Sequence, residues 1–133
     1  MTAREKRCTP AVRDGRARKA RQFADAFHTI HEWADEPGDV ADACVTLAVH
    51  AGIAAADAIC CARLGIHSTG DNHQQAQALL ERADRAAKKH LTTLLSLKTT
   101  AGYSEQSVTA ADLKRAERAM DALIKAMDAT LTG

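Results

Sequence analysis

Polar side chains capable of chemistry condense in one stretch of this sequence, HSTGDNH at residues 67–73. His67 and His73 flank it, with Ser68, Thr69, Asp71 and Asn72 between them around Gly70. Two imidazoles on either side of a flexible turn can fold towards each other and share proton transfer as acid and base. His73 falls in the first turn of a predicted helix, where unpaired amide hydrogens and the positive dipole end face outward. A cation is disfavoured there, so His73 is expected to be neutral at neutral pH and to serve as a base. The same amides suit a phosphate. Arg63, in the last turn of the preceding helix, reaches the same space. Arg63, Asn72, Ser68 and Thr69 are therefore the candidate nucleotide- or phosphate-binding residues, with His73 and His67 as the catalytic candidates. On the preceding helix His50 and Asp57 lie two turns apart on one face, with Cys61 beyond. A buried Asp57 needs a partner, and His50 or Arg63 is expected to supply it. The plainer reading of the same residues is a turn, with Asp71 and Thr69 as caps, His73 on the surface and Asp57 inside a buried network.

Other chemistries fit less well. Di-iron bundles need inward Glu-x-x-His pairs; here Asp25-x-x-His28, with His31 beyond, is the nearest spacing, and no metal is expected. Aromatic residues are too few for a stacking platform on single strands. There is no phosphate-binding glycine loop and no nucleophile elbow. Cys60 and Cys61 have no charge partner in the sequence to activate a thiolate. No cofactor is expected.

The elements that must position these residues are helices. A chain of 133 residues is one domain by size. Only 3% of it is aromatic and alanine supplies much of the apolar content, so the core is built from closely spaced helices. Net charge is +1, which steers the whole molecule to no polyanion or membrane. Yet residues 1–21 hold eight basic side chains against two acidic ones. Residues 1–15 are expected to form a basic arm, disordered in part and able to touch phosphate, ahead of a helical body at 16–133. The four cysteines show no C-x-x-C spacing and read as buried thiols of a reducing compartment. No apolar stretch reads as a membrane span and no signal sequence follows the basic start, so a cytoplasmic protein is expected.

Apolar residues recur at three and four positions along four segments. The first helix is expected over about 16–34, with a stripe of Ala20, Phe23, Phe27, Ile30 and Ala34, ended by DEPGD. The second runs over about 40–64, capped by Asp39 and closed by Gly65. Its residues are small nearly all round, which suits the middle of a bundle or an interface between chains. The third opens with Asp71 as cap and Gln74 as its partner and continues to about 97. A loop, KTTAGYSEQSV, precedes a fourth helix that starts at Thr109-x-x-Asp112 and carries Leu113, Met120, Leu123, Met127 and Leu131. Short connections favour an all-α, up-down four-helix bundle with room for a short extra helix.

The helix AVHAGIAAADAICCARLGI, the turn HSTGDNH and the helix QQAQALLERADRAAKKHLTTLLSLKTTAGY resemble the HEPN family (higher eukaryotes and prokaryotes nucleotide-binding) over about residues 17–130. The resemblance implies an up-down bundle that forms a homodimer. It also implies, in many members, a metal-independent endoribonuclease, often a toxin beside a nucleotidyltransferase antitoxin. The family's motif is an arginine, four to six residues, then a histidine at the start of the third helix. His73 matches the histidine. His67 stands where the arginine is expected, Arg63 lies too far upstream, and Gln75 replaces the tyrosine of a known variant. Histidine holds phosphate only when protonated, whereas arginine is always charged and offers a planar fork. The expected function is a HEPN-like dimeric module that binds RNA, a nucleotide or a partner protein, with its ribonuclease weakened or absent. An active endoribonuclease using His67 and His73, and a helical interaction protein without a ligand, are the alternatives.

Overall fold

A computed structural model describes residues 5–69 and 72–133. In chain order these form strand β1 (Glu5–Arg7), helix α1 (Pro10–Trp33), a 3₁₀ turn (Pro37–Val40), helix α2 (Ala41–Leu64), strand β2 (Ile66–Ser68), helix α3 (His73–Ala83), a second 3₁₀ turn (Arg85–Ala87), helix α4 (Lys88–Gly102) and helix α5 (Ala110–Thr132). The fold is an all-helical bundle with one small antiparallel ladder, in which Glu5 faces Ser68, Lys6 faces His67 and Arg7 faces Ile66. That ladder lies outside the sequence expectation. So does the start of α1: Thr9 accepts a hydrogen bond from the Val12 amide at 3.2 Å and Pro10 occupies the first turn. Residues 5–15 of the expected arm are thus folded as a strand and the start of a helix.

Helix α2 is the centre. It packs against α1, α3, α4 and α5, and residues on every side of it are buried. Small side chains make this close approach possible. A Cβ at Gly52 would collide with Leu94 of α4 and press on Leu123 of α5 at 3.2 Å. Contrary to expectation, Pro37–Leu64 does have the length and mean hydropathy (1.8) of a membrane span, but 78% of its most apolar window is buried inside the bundle. The small-residue surface of α2 is therefore used within the chain rather than left for a second copy. Its N-terminus also differs from expectation. The 3₁₀ turn feeds directly into it, and Val40, not Asp39, holds the cap position without a side-chain bond. Its C-terminus is as expected: Gly65 adopts φ 72° and its amide donates to the Cys61 carbonyl at 3.0 Å, a conformation that favours glycine.

The expected third helix is two helices. At Asp84 the backbone leaves the helical region, and its carboxylate accepts from the Ala87 amide at 3.2 Å, recapping the chain. A short acidic side chain offering the backbone this alternative bond is the physical cause. Asn72, not Asp71, caps α3 by accepting from the Gln75 amide at 2.8 Å; Asp71 and Gly70 lie outside the described residues. Helix α4 then absorbs the first part of the expected loop, as far as Gly102. The capping box of α5 forms as expected between Thr109 and Asp112. Of the stripe expected on the first helix, Phe27 is fully buried but Ile30 is exposed, as is Trp33 at the end of α1.

The cysteine expectation is corrected outright for two of the four. Cys8 and Cys61 form a disulfide, while Cys44 and Cys60 are free and buried. In the chain-entropy account a bridge spanning 53 positions contributes roughly 4 kcal/mol by constraining the unfolded chain. The expectation of a cytoplasmic protein loses the support it drew from reduced cysteines.

Close helix contact at Gly52 gives a direct test. Gly52→Val adds volume between Leu94 and Leu123 and is expected to lower the unfolding free energy by about 1–3 kcal/mol, read from the urea midpoint. An unchanged midpoint would contradict this packing.

Candidate functional site

The apolar helix α2 carries one buried charge. Asp57 is 5% exposed, and a carboxylate there must be paired. Its partners come from other elements. Arg16 of α1 donates through Nε to Oδ2 at 3.0 Å. His67 of β2 places Nδ1 3.9 Å from Oδ1. The same Nδ1 lies 2.6 Å from the Ser68 carbonyl, and a carbonyl only accepts, so Nδ1 carries the proton. Burial raises the Asp57 carboxyl above its ordinary range, and the charges of Arg16 and His67 oppose that rise. The expectation that His50 or Arg63 would pair with Asp57 is corrected: Arg63 is exposed in the last turn of α2, and His50 faces elsewhere.

His50 is exposed, with its ring centroid 5.6 Å from that of Phe23. It lines a cleft of about 140 Å³ with Thr46, Val49, Lys98, Gly102 and Tyr103. Lys98 connects this cleft to the start of α3, because its Nζ lies 2.9 Å from His73 Nε2. An ammonium can only donate, so Nε2 accepts in this contact. The structure thus sorts the expected site into two parts. His67 is joined with Asp57 and Arg16 below the β1–β2 ladder. His73 is joined with Lys98 at the edge of the cleft that holds His50.

The remaining candidates are placed plainly. The Asn72 side-chain oxygen is committed to capping α3. Ser68 is 2% exposed and its hydroxyl has no hydrogen-bond partner among the described residues. Thr69 is half-buried. Arg16 and Lys98 are the residues the sequence reading missed. Arg16 stands at the very start of the expected first helix, and its pairing with Asp57 arises only from the packing of α1 on α2. Lys98 stood in a segment read as loop, where no helical face could be assigned to it.

Two other groups of reactive side chains lie outside these two parts. His28, Glu117 and Asp121 place ligand atoms within 4.8 Å of one another. Yet His28 turns Nε2 to Asp121 at 3.0 Å and Nδ1 to Glu117 at 3.6 Å. The ring stands between two carboxylates, linking α1 to α5, rather than presenting one nitrogen beside both. Cys60 is buried, and that burial and then the Asp57 charge push its thiol up to about 12 against the opposing pull of Arg82, which disfavours the thiolate. Cys44 is pushed up by burial and then by Glu117.

Comparison with protein-family models, curated proteins and solved structures gives no match. The resemblance to the HEPN family therefore rests on the residues quoted for it.

The Asp57 pair has a signed pH consequence. Arg16→Ala removes a charge that opposes the effect of burial, so the carboxyl rises further in the folded state. The folded chain then holds a proton that the unfolded chain releases above the ordinary carboxyl range. We expect a loss of about 3 kcal/mol at neutral pH, shrinking as pH falls through the raised folded value towards the unfolded one. Urea unfolding at several pH values reads this, and a loss that grows as pH falls would contradict it.

Proposed function

We propose that this chain is a HEPN-like, up-down four-helix bundle, with its third helix split at Asp84, that binds the phosphates of RNA or a nucleotide. In this reading its ribonuclease is weakened or absent, and it acts as a dimeric regulatory module of the toxin–antitoxin or defence type, beside a partner such as a nucleotidyltransferase. The observation that carries the reading is the Lys98–His73 contact at 2.9 Å beside the His50 cleft. Lys98 supplies a positive charge next to the motif histidine, where the family's arginine is missing. A lysine neutralises phosphate as a point charge but lacks the planar fork that fixes a transition state. Binding is therefore retained better than catalysis. His67, in the arginine's position, is held by Asp57 and the Ser68 carbonyl, which argues the same way. A dimer, in this reading, uses surface other than α2. Trp33 is 82% exposed and Tyr103, at the cleft, is 78% exposed, and exposed aromatics suit an interface.

One observation favours the active endoribonuclease as a second reading. His67 donates through Nδ1, which leaves Nε2 as the nitrogen available for proton transfer. A base oriented by hydrogen bonding on its far nitrogen is a recurrent catalytic arrangement.

Fluorescence polarisation with a single-stranded RNA separates these readings. Wild-type protein is expected to bind with affinity that falls as salt rises. Lys98→Ala weakens binding roughly fivefold and lowers the salt slope by about one. No cleavage is expected in EDTA at neutral pH. Cleavage that survives chelation and disappears in His73→Ala would establish the second reading. Absence of RNA retention at low salt would leave an interaction protein without this ligand.

A further inference from the structure

We propose that the Cys8–Cys61 disulfide is a redox latch that holds strand β1 over the His67 side of the site and so regulates access to it. The regulatory part rests on the reading that the site binds RNA phosphate; the latch itself rests on geometry.

Strand β1 has little else to hold it. Its sequence is Glu-Lys-Arg, with Lys6 and Arg7 exposed and Glu5 half-buried, so it contributes no apolar side chain to the core. Its ladder partner is three residues long and lies about sixty positions away in the chain. A two-stranded ladder of this size is marginal on its own, and closing so long a loop carries an entropy cost. Beyond the ladder, the non-covalent ties among the described residues are the Cys8 backbone amide donating to the Gly65 carbonyl at 2.9 Å and the Gln75 side-chain amide donating to the Glu5 carboxylate at 2.9 Å. The covalent bond to the last turn of α2 is the strongest restraint on the strand.

What the strand lies against is the site. Lys6 pairs directly with His67, and directly opposed residues share a face of the ladder. Glu5 reaches Gln75, two residues beyond His73. Only 13% of the His67 side chain is exposed while β1 is in place. Release of the strand would uncover His67 and free Lys6 and Arg7 as mobile cations beside the turn.

The exchange chemistry closes without other cysteines of the chain. Cys8 is half-buried and Cys61 is 7% exposed, so the Cys8 sulfur is the more accessible one. A small dithiol reductant attacks it as thiolate. The Cys8–Cys61 bond breaks, and Cys61 leaves as thiolate and takes a proton. The second thiol of the reductant then resolves the mixed disulfide, releasing the Cys8 thiol and an oxidised reductant. Two electrons and two protons pass to the latch. Cys44 and Cys60 are buried and take no part.

The test uses the whole chain, air-oxidised or treated with dithiothreitol. Native iodoacetamide labelling is expected to add nothing to the oxidised protein and to modify Cys8 and Cys61, but not Cys44 or Cys60, after reduction. Amide exchange at Lys6, Arg7, His67 and Ser68 is expected to accelerate at least tenfold on reduction, with no change at Leu91 or Leu123. Cys8→Ser should exchange like reduced wild type whatever the redox state, and the comparison of oxidised with reduced wild type stands even if that variant folds poorly. RNA affinity is expected to rise about fivefold on reduction of wild type. Equal exchange in the two redox states, or labelling of Cys8 without reduction, overturns the latch. Faster exchange with unchanged RNA affinity overturns its regulatory role. If neither state binds RNA, the functional reading of the site fails, and exchange alone decides the latch.

Discussion

Much of this structure depends on how one carboxylate is accommodated inside a helix that is otherwise apolar. Helix α2 is made of small residues so that α1, α4 and α5 can close around it. Asp57 interrupts that surface, and a charge in such a place costs several kcal/mol unless it is paired and hydrogen-bonded. Arg16 reaches it from one side of the helix packing and His67 from the short strand that follows α2. Satisfying Asp57 therefore fixes more than one side chain. It ties the start of α1 to α2, and it fixes where the chain must go once Gly65 has turned it out of the helix.

From that constraint the polar turn acquires two halves with different duties. His67 is drawn inward, and its Nδ1 proton goes to the Ser68 carbonyl, with the Asp57 carboxylate 3.9 Å away. His73 begins the next helix and meets Lys98 from α4 at the edge of an open cleft. Two histidines that look equivalent along the chain are thus unequal in the fold, one anchoring and one facing solvent chemistry. The disulfide and the β1–β2 ladder sit on the anchoring half, so whatever changes them acts on His67 before it reaches His73.

The helical class, the burial of α2, the Gly65 stop and the α5 capping box were legible from composition and spacing, because each depends on residues close in sequence. The turn was legible as the place where polar chemistry gathers. The partners were not. Asp57 was matched to His50 and Arg63 because they share its helix, whereas Arg16 lies 41 positions away and becomes a neighbour only when α1 packs. Lys98 was hidden because Asp84 restarts the helix and carries it as far as Gly102, turning an expected loop into a helical face. Cys8 and Cys61 have no recognisable spacing, and their segments meet only when the fold pairs β1 with β2 and packs α1 on α2.

The site turns on this division of labour between the two histidines. It is tested most directly by following the imidazole resonances of His67 and His73 by NMR while a short single-stranded RNA is titrated into the oxidised protein. The His73 ring signals are expected to move with saturating RNA, accompanied by the Lys98 side chain, while those of His67 stay in place. Movement of His67 with His73 unchanged would contradict it.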